Sequence, residues 1–440
     1  MASSLFCFPV SAAKSSNINN QSKVFSDMDF GCNVKTKSDT VLLVNLDTGV
    51  TVYSKEADTK RYPASLTKIM TYVVVAENVK DFDTKIEITE KSLKPLEGTG
   101  SSLSAVSYNI GKKLTVKQLL QCLMISSGND AALVLADYVG GDAGVKGFVK
   151  MMNDKAKELG CENTHFVNPH GLHDSDHYTT ARDMYKITSY ALMLPDFSTI
   201  TNTTSYEIGD EYYATTNHLL DSFSDYYYQY ARGIKTGTTD EAGRCLVTQA
   251  VADGYSYLAV LMHAPYNEAE GTDEYYNMED AAELFRWAFR NITLKEVVTR
   301  ETPVCEEKIN LSWDKSSIQL SPEEDFNVLL PNNVEDKDIS IKTDVPDYID
   351  APVKEGDYVG KASVYYKDEK VATFNLVADE TVERSTLLYI LDLLKNVFTS
   401  IYFIGAAIIV VILFALYLFV IVKHNKDNPR RKTVKHYRKM

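Results

Sequence analysis

A chain of 440 residues with 45% hydrophobic and 24% charged residues can bury more than one core, which excludes a disordered or fibrous protein and leads us to expect two or three domains. The formal net charge is −14, but residues 423–440 carry eight lysines or arginines against Asp427, about +7, which leaves roughly −21 on the rest and argues against nucleic acid as a partner. Six scattered cysteines with no C-x-x-C pair give neither a disulfide framework nor a zinc pattern, and Cys122 and Cys245, each inside an apolar run, read as core residues.

Residues 1–13 are short and apolar and end Pro9-Val10-Ser11-Ala12-Ala13, like the close of a secretory signal with its small-residue cleavage site. The basic segment of such a signal is missing. Either the signal is atypical or the stated start lies inside a longer one; an unstructured tail is the alternative. Residues 14–37 read as a polar, unstructured lead.

The globular part begins at Ser38. Apolar runs at 41–46 and 50–53 predict a hairpin turning at Asp47-Thr48-Gly49. Next comes Tyr62-Pro63-Ala64-Ser65-Leu66-Thr67-Lys68, followed at helical spacing by Ile69, Met70, Val73, Val74 and Ala76. Pro63 cannot continue a helix backwards, so Ser65 is expected to open a buried helix with Lys68 on the same face. A serine hydroxyl needs a neighbour to take its proton, and a lysine does so only if burial or a nearby cation lowers its pKa. Taken alone, S-x-x-K is so common that a helix cap followed by a solvated lysine is the better reading, which two further motifs reverse.

Thr115-Val116-Lys117-Gln118 has capping-box spacing and predicts a helix through 119–125, which breaks at Ser126-Ser127-Gly128-Asn129. Helices are predicted over 130–139, ending at Gly140-Gly141, and over 145–159, ending at Gly160. Ser127 and Asn129 thus sit in a tight loop pinned by two buried helices, although Ser-Gly-Asn is also ordinary turn chemistry. Farther on, Gly233-Ile234-Lys235-Thr236-Gly237-Thr238 precedes apolar runs at 246–251 and 255–262 around Asp253-Gly254, the signature of an antiparallel hairpin. Lys235 is therefore expected at or near a strand, where its ammonium can grip a carboxylate and depress the pKa of Lys68. Gly237 would let a ligand lie against the backbone. His170, His173 and His177 with Asp174 and Asp176 fit no standard zinc spacing, so no metal is expected and the loop is read as capping its neighbours. Tyr226, Tyr227, Tyr228 and Tyr230 read as a partly exposed loop rather than a sugar-stacking platform.

From Ile292 the pattern changes to short alternating runs at 309–313, 318–320, 326–330, 339–342, 359–366 and 371–377, separated by proline and acidic turns, which predicts an all-β domain over 292–385. Residues 386–400 read as a linker helix. Residues 401–422 carry no charge and, as a helix, span about 33 Å, enough to cross a bilayer. The basic tail 423–440 then places the C-terminus in the cytoplasm and the rest of the chain outside a cell membrane.

S-x-x-K, Ser-x-Asn and K-T-G in this order make up the serine β-lactamase and penicillin-binding set. With 63–71, Ser127-Gly128-Asn129-Asp130-Ala131-Ala132, Phe166-Val167-Asn168-Pro169-His170-Gly171-Leu172, Thr180-Ala181-Arg182-Asp183-Met184 and 233–243, the chain resembles the low-molecular-weight D-alanyl-D-alanine carboxypeptidases, peptidase family S11, over 38–289. The run from Ala351-Pro352-Val353 through Gly360-Lys361-Ala362 is similar to that family's C-terminal β domain. The resemblance implies an α/β (α+β) penicillin-binding, transpeptidase-like catalytic domain over 38–291, a small all-β domain, and a transmembrane helix in place of the family's usual amphipathic anchor. It makes Ser65 the acyl-enzyme nucleophile, Lys68 its base, and Ser127 the relay to the leaving amine. Asn129 would hold the substrate amide and orient Lys68, Lys235 and Thr236 would bind the terminal carboxylate beside Gly237, and the backbone N–H groups of Ser65 and Thr238 would form an oxyanion hole. Some relatives have histidine where this chain has Thr238, a change that a backbone donor tolerates.

The expected activity is removal of the terminal D-alanine from peptidoglycan pentapeptide stems, with β-lactams as inhibitors and no cofactor. A β-lactamase is one alternative, but no E-x-x-L-N pattern follows Asn129, and Glu158 and Glu162 sit on or after a helix ending at Gly160. A non-catalytic wall-binding scaffold is the other, and a pure binder gains nothing from a buried Lys68.

Overall fold

The computed structural model describes residues 30–99, 101, 103–266 and 274–427. The signal segment 1–13, residues 14–29 of the lead and the tail from 428 lie outside the described residues. The chain divides into two compact units. One comprises the chain to Val297 with Asn327–Lys342 and Ser363–Thr373; the other comprises Val298–Phe326, Thr343–Ala362 and the chain from Phe374.

The first unit is built on a five-stranded antiparallel sheet. Strands β1 (Thr40–Asn45) and β2 (Thr51–Lys55) form the predicted hairpin, whose turn is closed by Thr48, donating from N and Oγ1 to Asn45 Oδ1 at 2.9 and 2.8 Å. Helix α1 (Thr67–Asn78) follows, then α2 (Val116–Met124), α3 (Asn129–Gly140), α4 (Gly144–Glu158) and α5 (Ala181–Ala191). The capping box before α2 is present in full, with Gln118 N to Thr115 Oγ1 at 3.1 Å and Thr115 N to Gln118 Oε1 at 2.9 Å. Strands β3 (Ala231–Thr239), β4 (Gly243–Ala252) and β5 (Tyr255–Ala264) complete the sheet in the order β2-β1-β5-β4-β3, and helix α6 (Tyr276–Asn291) follows. Asp253 and Gly254, at φ +52° and +83°, make the two-residue turn between β4 and β5 that their sequence predicts.

Both faces of this sheet are covered, which is why β4 and β5 read as continuous apolar runs rather than alternating ones. On β5, Leu258, Val260 and Met262 join the core around α1, while Tyr257, on the other face, packs edge-on against Phe289 of α6 with ring centroids 5.2 Å apart. Nine residues of α1 are buried, six of them in that core, which also holds Cys122 and Cys245. The tyrosine loop is divided. Tyr228 is buried and stacks on Phe285, Tyr226 packs against Tyr275, and Tyr227 and Tyr230 stay exposed. One hairpin was not foreseen: Ser205–Ile208 pairs with Glu211–Ala214.

Downstream, Ile292–Val298 pairs with Phe326–Pro331. A six-stranded sheet has the order Ile339–Asp344, Tyr358–Tyr366, Glu369–Ala378, Ser317–Pro322, Cys305–Asn310 and Tyr348–Asp350. Of the run expected at 309–313 only the first two residues are strand, at the end of Cys305–Asn310: Leu311 turns at φ +60°, and Trp313 is 67% exposed. The end of the chain is helical, with α7 (Thr386–Thr399), capped by Ser385, and α8 (Ile401–Asp427). Within α8, Ile401–His424 is long and apolar enough to cross a membrane, and none of it is buried by protein.

Candidate active site

The site is assembled around the start of α1. Pro63 leads into a 3-10 turn, Ala64–Leu66, that runs directly into α1, so Ser65 lies in the turn rather than at the first α-helical position. The turn closes with Leu66 N donating to Pro63 O at 3.1 Å, and Ala64 takes φ +46°, a conformation that costs an L-residue energy and marks a backbone held in place by its surroundings. Lys68, fully buried, projects back onto the same face. Its Nζ lies 2.8 Å from Ser65 Oγ, 2.6 Å from Asn129 Oδ1 and 2.8 Å from the carbonyl oxygen of His170. A neutral amine has two N–H groups and one lone pair. Asn129 Oδ1 and His170 O accept the two N–H groups, leaving the lone pair for the Ser65 hydroxyl proton.

Electrostatics favour that neutral form. Burial holds the Lys68 pKa well below its ordinary 10.5; the Lys235 ammonium lowers it further, and Asp130 opposes both. From the sequence the lever is burial or a nearby cation; both act here, and desolvation is the larger.

Asn129 opens α3 and Ser127 sits in the loop between α2 and α3 with φ +61°, 7% exposed. Among the described residues Ser127 Oγ has no hydrogen-bond partner. The loop is pinned from beside: the Ser126 hydroxyl meets the Tyr206 hydroxyl at 2.6 Å, and Tyr206 comes from the unforeseen hairpin.

The His170 carbonyl is aimed at Lys68 by a compact turn. Asn168 Oδ1 accepts from Gly171 N at 2.6 Å and Asn168 Nδ2 donates to Leu172 O at 2.9 Å. Thr71 Oγ1 donates to Pro169 O at 2.5 Å, tying the turn to α1. Gly171, at φ +92°, lies so close to the nucleophile turn that a Cβ on it would fall 1.9 Å from Ala64 O. Thr67 Oγ1 donates to Ala64 O at 2.7 Å and therefore accepts from His177 Nε2, 2.8 Å away, while His177 Nδ1 accepts from Val167 N at 3.1 Å. These partners suit a neutral imidazole. Burial, the first cause for both rings, pushes His170 down to about 3 and His177 down to about 4. His173 packs edge-on against Tyr62. The histidine loop thus caps and clamps its neighbours, and among the described residues no three His, Cys, Asp or Glu side chains are grouped as metal ligands.

Strand β3 forms the opposite wall. Lys235 is 1% exposed, its Nζ donates to Thr236 O at 3.0 Å, and burial pushes its pKa down to about 7. The Thr236 hydroxyl meets that of Thr216 at 2.5 Å. At Gly237 the close approach is made by the nucleophile turn itself, since a Cβ there would lie 2.9 Å from Ser65 N and 3.0 Å from Pro63 O. Thr238, the next residue, is exposed.

Ser65, Lys68 and Asn129 are therefore joined by direct hydrogen bonds, with Lys235 acting on Lys68 through its charge. Such a group can activate a hydroxyl toward a carbonyl beside a cation that attracts an anion. The roles of His170 O, Tyr206, Thr216 and Asp130 were not read from the sequence. The turn residues Asn168, Pro169 and Gly171 signal a loop, but nothing in them says where one carbonyl points.

Residues 28–266 match the D-alanyl-D-alanine carboxypeptidase family of S11 peptidases, and residues 293–384 match the C-terminal domain of penicillin-binding protein 5. The D-alanyl-D-alanine carboxypeptidase DacD of Escherichia coli is 30% identical over 356 residues, covering 79% of this chain and 87% of that protein. The D-alanyl-D-alanine carboxypeptidase DacF of Bacillus subtilis is 28% identical over 349 residues, covering 78% of this chain and 85% of that protein. The crystal structure of the D-alanyl-D-alanine carboxypeptidase DacD from Francisella tularensis superposes with a TM-score of 0.64 at 26% identity, over 80% of this chain and 95% of that one.

Proposed function

The chain belongs to the S11 family of D-alanyl-D-alanine carboxypeptidases, and from that membership we propose how its residues divide the work of the reaction. The activity is that of a serine-type D-Ala-D-Ala carboxypeptidase. Ser65 Oγ attacks the carbonyl of the penultimate D-alanine while Lys68 takes its proton. The backbone N–H groups of Ser65 and Thr238 stabilise the oxyanion, a contribution of about 3 to 4 kcal/mol per donor in comparable sites. Collapse of the tetrahedral intermediate breaks the C–N bond; the proton passes from Lys68 through the Ser127 hydroxyl to the departing D-alanine amine. Water then hydrolyses the acyl-enzyme. Asn129 orients Lys68 through Oδ1, which leaves its amide N–H groups for the substrate, and Lys235 with Thr236 binds the terminal carboxylate beside Gly237.

The observation that carries this reading is the three-way coordination of Lys68 Nζ by Ser65, Asn129 and His170 O, which fits a buried neutral amine acting as base. The substrate in the proposal is the pentapeptide stem of peptidoglycan, and β-lactams acylate Ser65 in its place. Residues 38–291 are taken as the catalytic domain, 292–385 as the β domain and 386–400 as a linker helix. Residues 401–422 are taken as a single membrane span with the catalytic part outside the cell membrane and 423–440 inside. A rapid β-lactamase is disfavoured because it needs a carboxylate base for deacylation. Among the described residues no carboxylate is hydrogen-bonded to Ser65 or Lys68, and Glu158 pairs with Lys155 at the surface. A chain that only bound wall would not turn substrate over. Purified protein is expected to release free D-alanine from a peptide ending in D-Ala-D-Ala, and Ser65→Ala to release none. Equal release by both would remove Ser65 from the reaction.

A further inference from the structure

Asp130 follows Asn129 in the first turn of α3 and is completely buried. Five donors converge on its carboxylate: Ser104 N and Oγ, both at 2.8 Å, Ser107 N at 3.1 Å and Oγ at 2.9 Å, and Ala131 N at 2.9 Å. Among the described residues no lysine or arginine pairs with it. Four of the five donors come from one short segment, and between them Ala105 and Val106 are fully buried. The segment is thereby plugged into the core while Tyr108, just beyond it, is 71% exposed. The carboxylate thus meets N–H and O–H groups alone, next to the residue that holds Lys68.

We infer that Asp130 is a positioning residue for acylation: through Ser104 and Ser107 it fixes a neighbouring segment against the Ser127–Asn129 loop, and as a buried anion it sets the field at Lys68. The inference rests on Ser65, Lys68 and Asn129 acting as proposed above. The charged and titratable groups that act on Lys68 are Lys235 from β3 and Asp130 from α3, while His170 beside it stays neutral at ordinary pH. Lys235 and burial favour the free amine, and Asp130 alone favours the ammonium. The anion therefore keeps the amine basic enough to accept the Ser65 proton, because a base weakened too far transfers protons poorly.

The test is the pH profile of acylation of the full chain by a penicillin, with the adduct mapped by mass spectrometry. In Asp130→Asn the plateau rate constant is expected to fall about tenfold to a hundredfold, the loss that misplaced catalytic groups bring. Its acid limb, which reports loss of the Lys68 proton, is expected to move to lower pH. The pair Ser104→Ala with Ser107→Ala keeps the anion and loses two donors, so it should slow acylation with the acid limb in place. A parent-like profile in Asp130→Asn overturns the inference, and so does a slower rate with an unmoved limb, which is what a merely structural role gives. Should Asp130→Asn fail to fold, the serine pair decides, and parent-like acylation by it overturns the inference. An adduct away from Ser65 in the parent chain would instead be a failure of the underlying assignment.

Discussion

Lys68 and Lys235 are two buried lysines with opposite tasks. In the proposed reaction Lys68 has to be neutral to take a proton, and Lys235 has to be charged to hold a carboxylate. Lys235 has been pushed down to about 7 by burial, so in the free enzyme it loses its proton as pH rises through that region. Bound substrate carboxylate favours the ammonium and moves the loss to higher pH. The alkaline limb of kcat/KM is therefore expected below that of kcat, and Lys235→Arg should remove or raise it, because a guanidinium does not titrate there. An alkaline limb unchanged in Lys235→Arg would assign that limb to another group. Lys235→Gln, which has no charge at any pH, is expected to cost acylation and turnover about 2 to 5 kcal/mol, the penalty of breaking a charged pair in a dry site. At this scale the sequence was informative about types and spacing, since S-x-x-K on one helical face does bring Ser65 and Lys68 together. It could not reveal that the third partner of Lys68 is a backbone carbonyl, because His170 contributes through its main chain and its ring points to no such role.

The elements that hold these residues were legible where local rules decide them. The capping box before α2, the Asp253-Gly254 turn and the glycines closing α3 and α4 act over a few residues, and the structure has them as their chemistry requires. Less was legible where tertiary contact decides. The Ser205–Ile208 hairpin offers only two four-residue strands, too short for a clear alternation, yet Tyr206 from it braces Ser126. Trp313 closes one of the short alternating runs read as strands, but Leu311 turns the chain away first. The loop carrying His170 is a similar case: its clamp on α1 depends on Gly171 touching Ala64, an approach only a residue without Cβ allows. Gly171→Ala combines a left-handed backbone with an overlap against Ala64 O and is expected to destabilise the fold by about 2 kcal/mol or more. It should also slow acylation, since the displaced turn carries Ser65. Thermal unfolding and penicillin acylation measure the two effects, and a variant matching the parent in both would show that the clamp is dispensable.

Over the whole molecule the three motifs, far apart in sequence, meet because α1 packs into a core shared by α2, α3 and the sheet that ends in β3. The spacing of motifs indicated a site but not the five-stranded order that closes it. The C-terminal end is legible by composition alone. Helix α7 alternates apolar Leu387, Leu391 and Leu394 with polar Asp392, Lys395 and Asn396, and α8 is apolar all round from Ile401 to Val422. A chain ending at Ser385 keeps the residue whose N–H donates to Leu311 O at 2.7 Å and loses both exposed helices. It is expected to be soluble and as active as the full chain on a D-Ala-D-Ala peptide. The full chain should sediment with membranes and stay there in high salt, because an apolar span is insensitive to screening whereas attraction through the basic tail is not. Release of the full chain by salt would make the attachment electrostatic.

The central prediction is a covalent bond between a penicillin and one residue. Intact-mass and peptide-mapping mass spectrometry after exposure to a penicillin should find the full mass of the drug added once, on the peptide carrying Ser65, and no adduct in Ser65→Ala. A mass increase on another residue, or equal labelling of the Ser65→Ala variant, would contradict it.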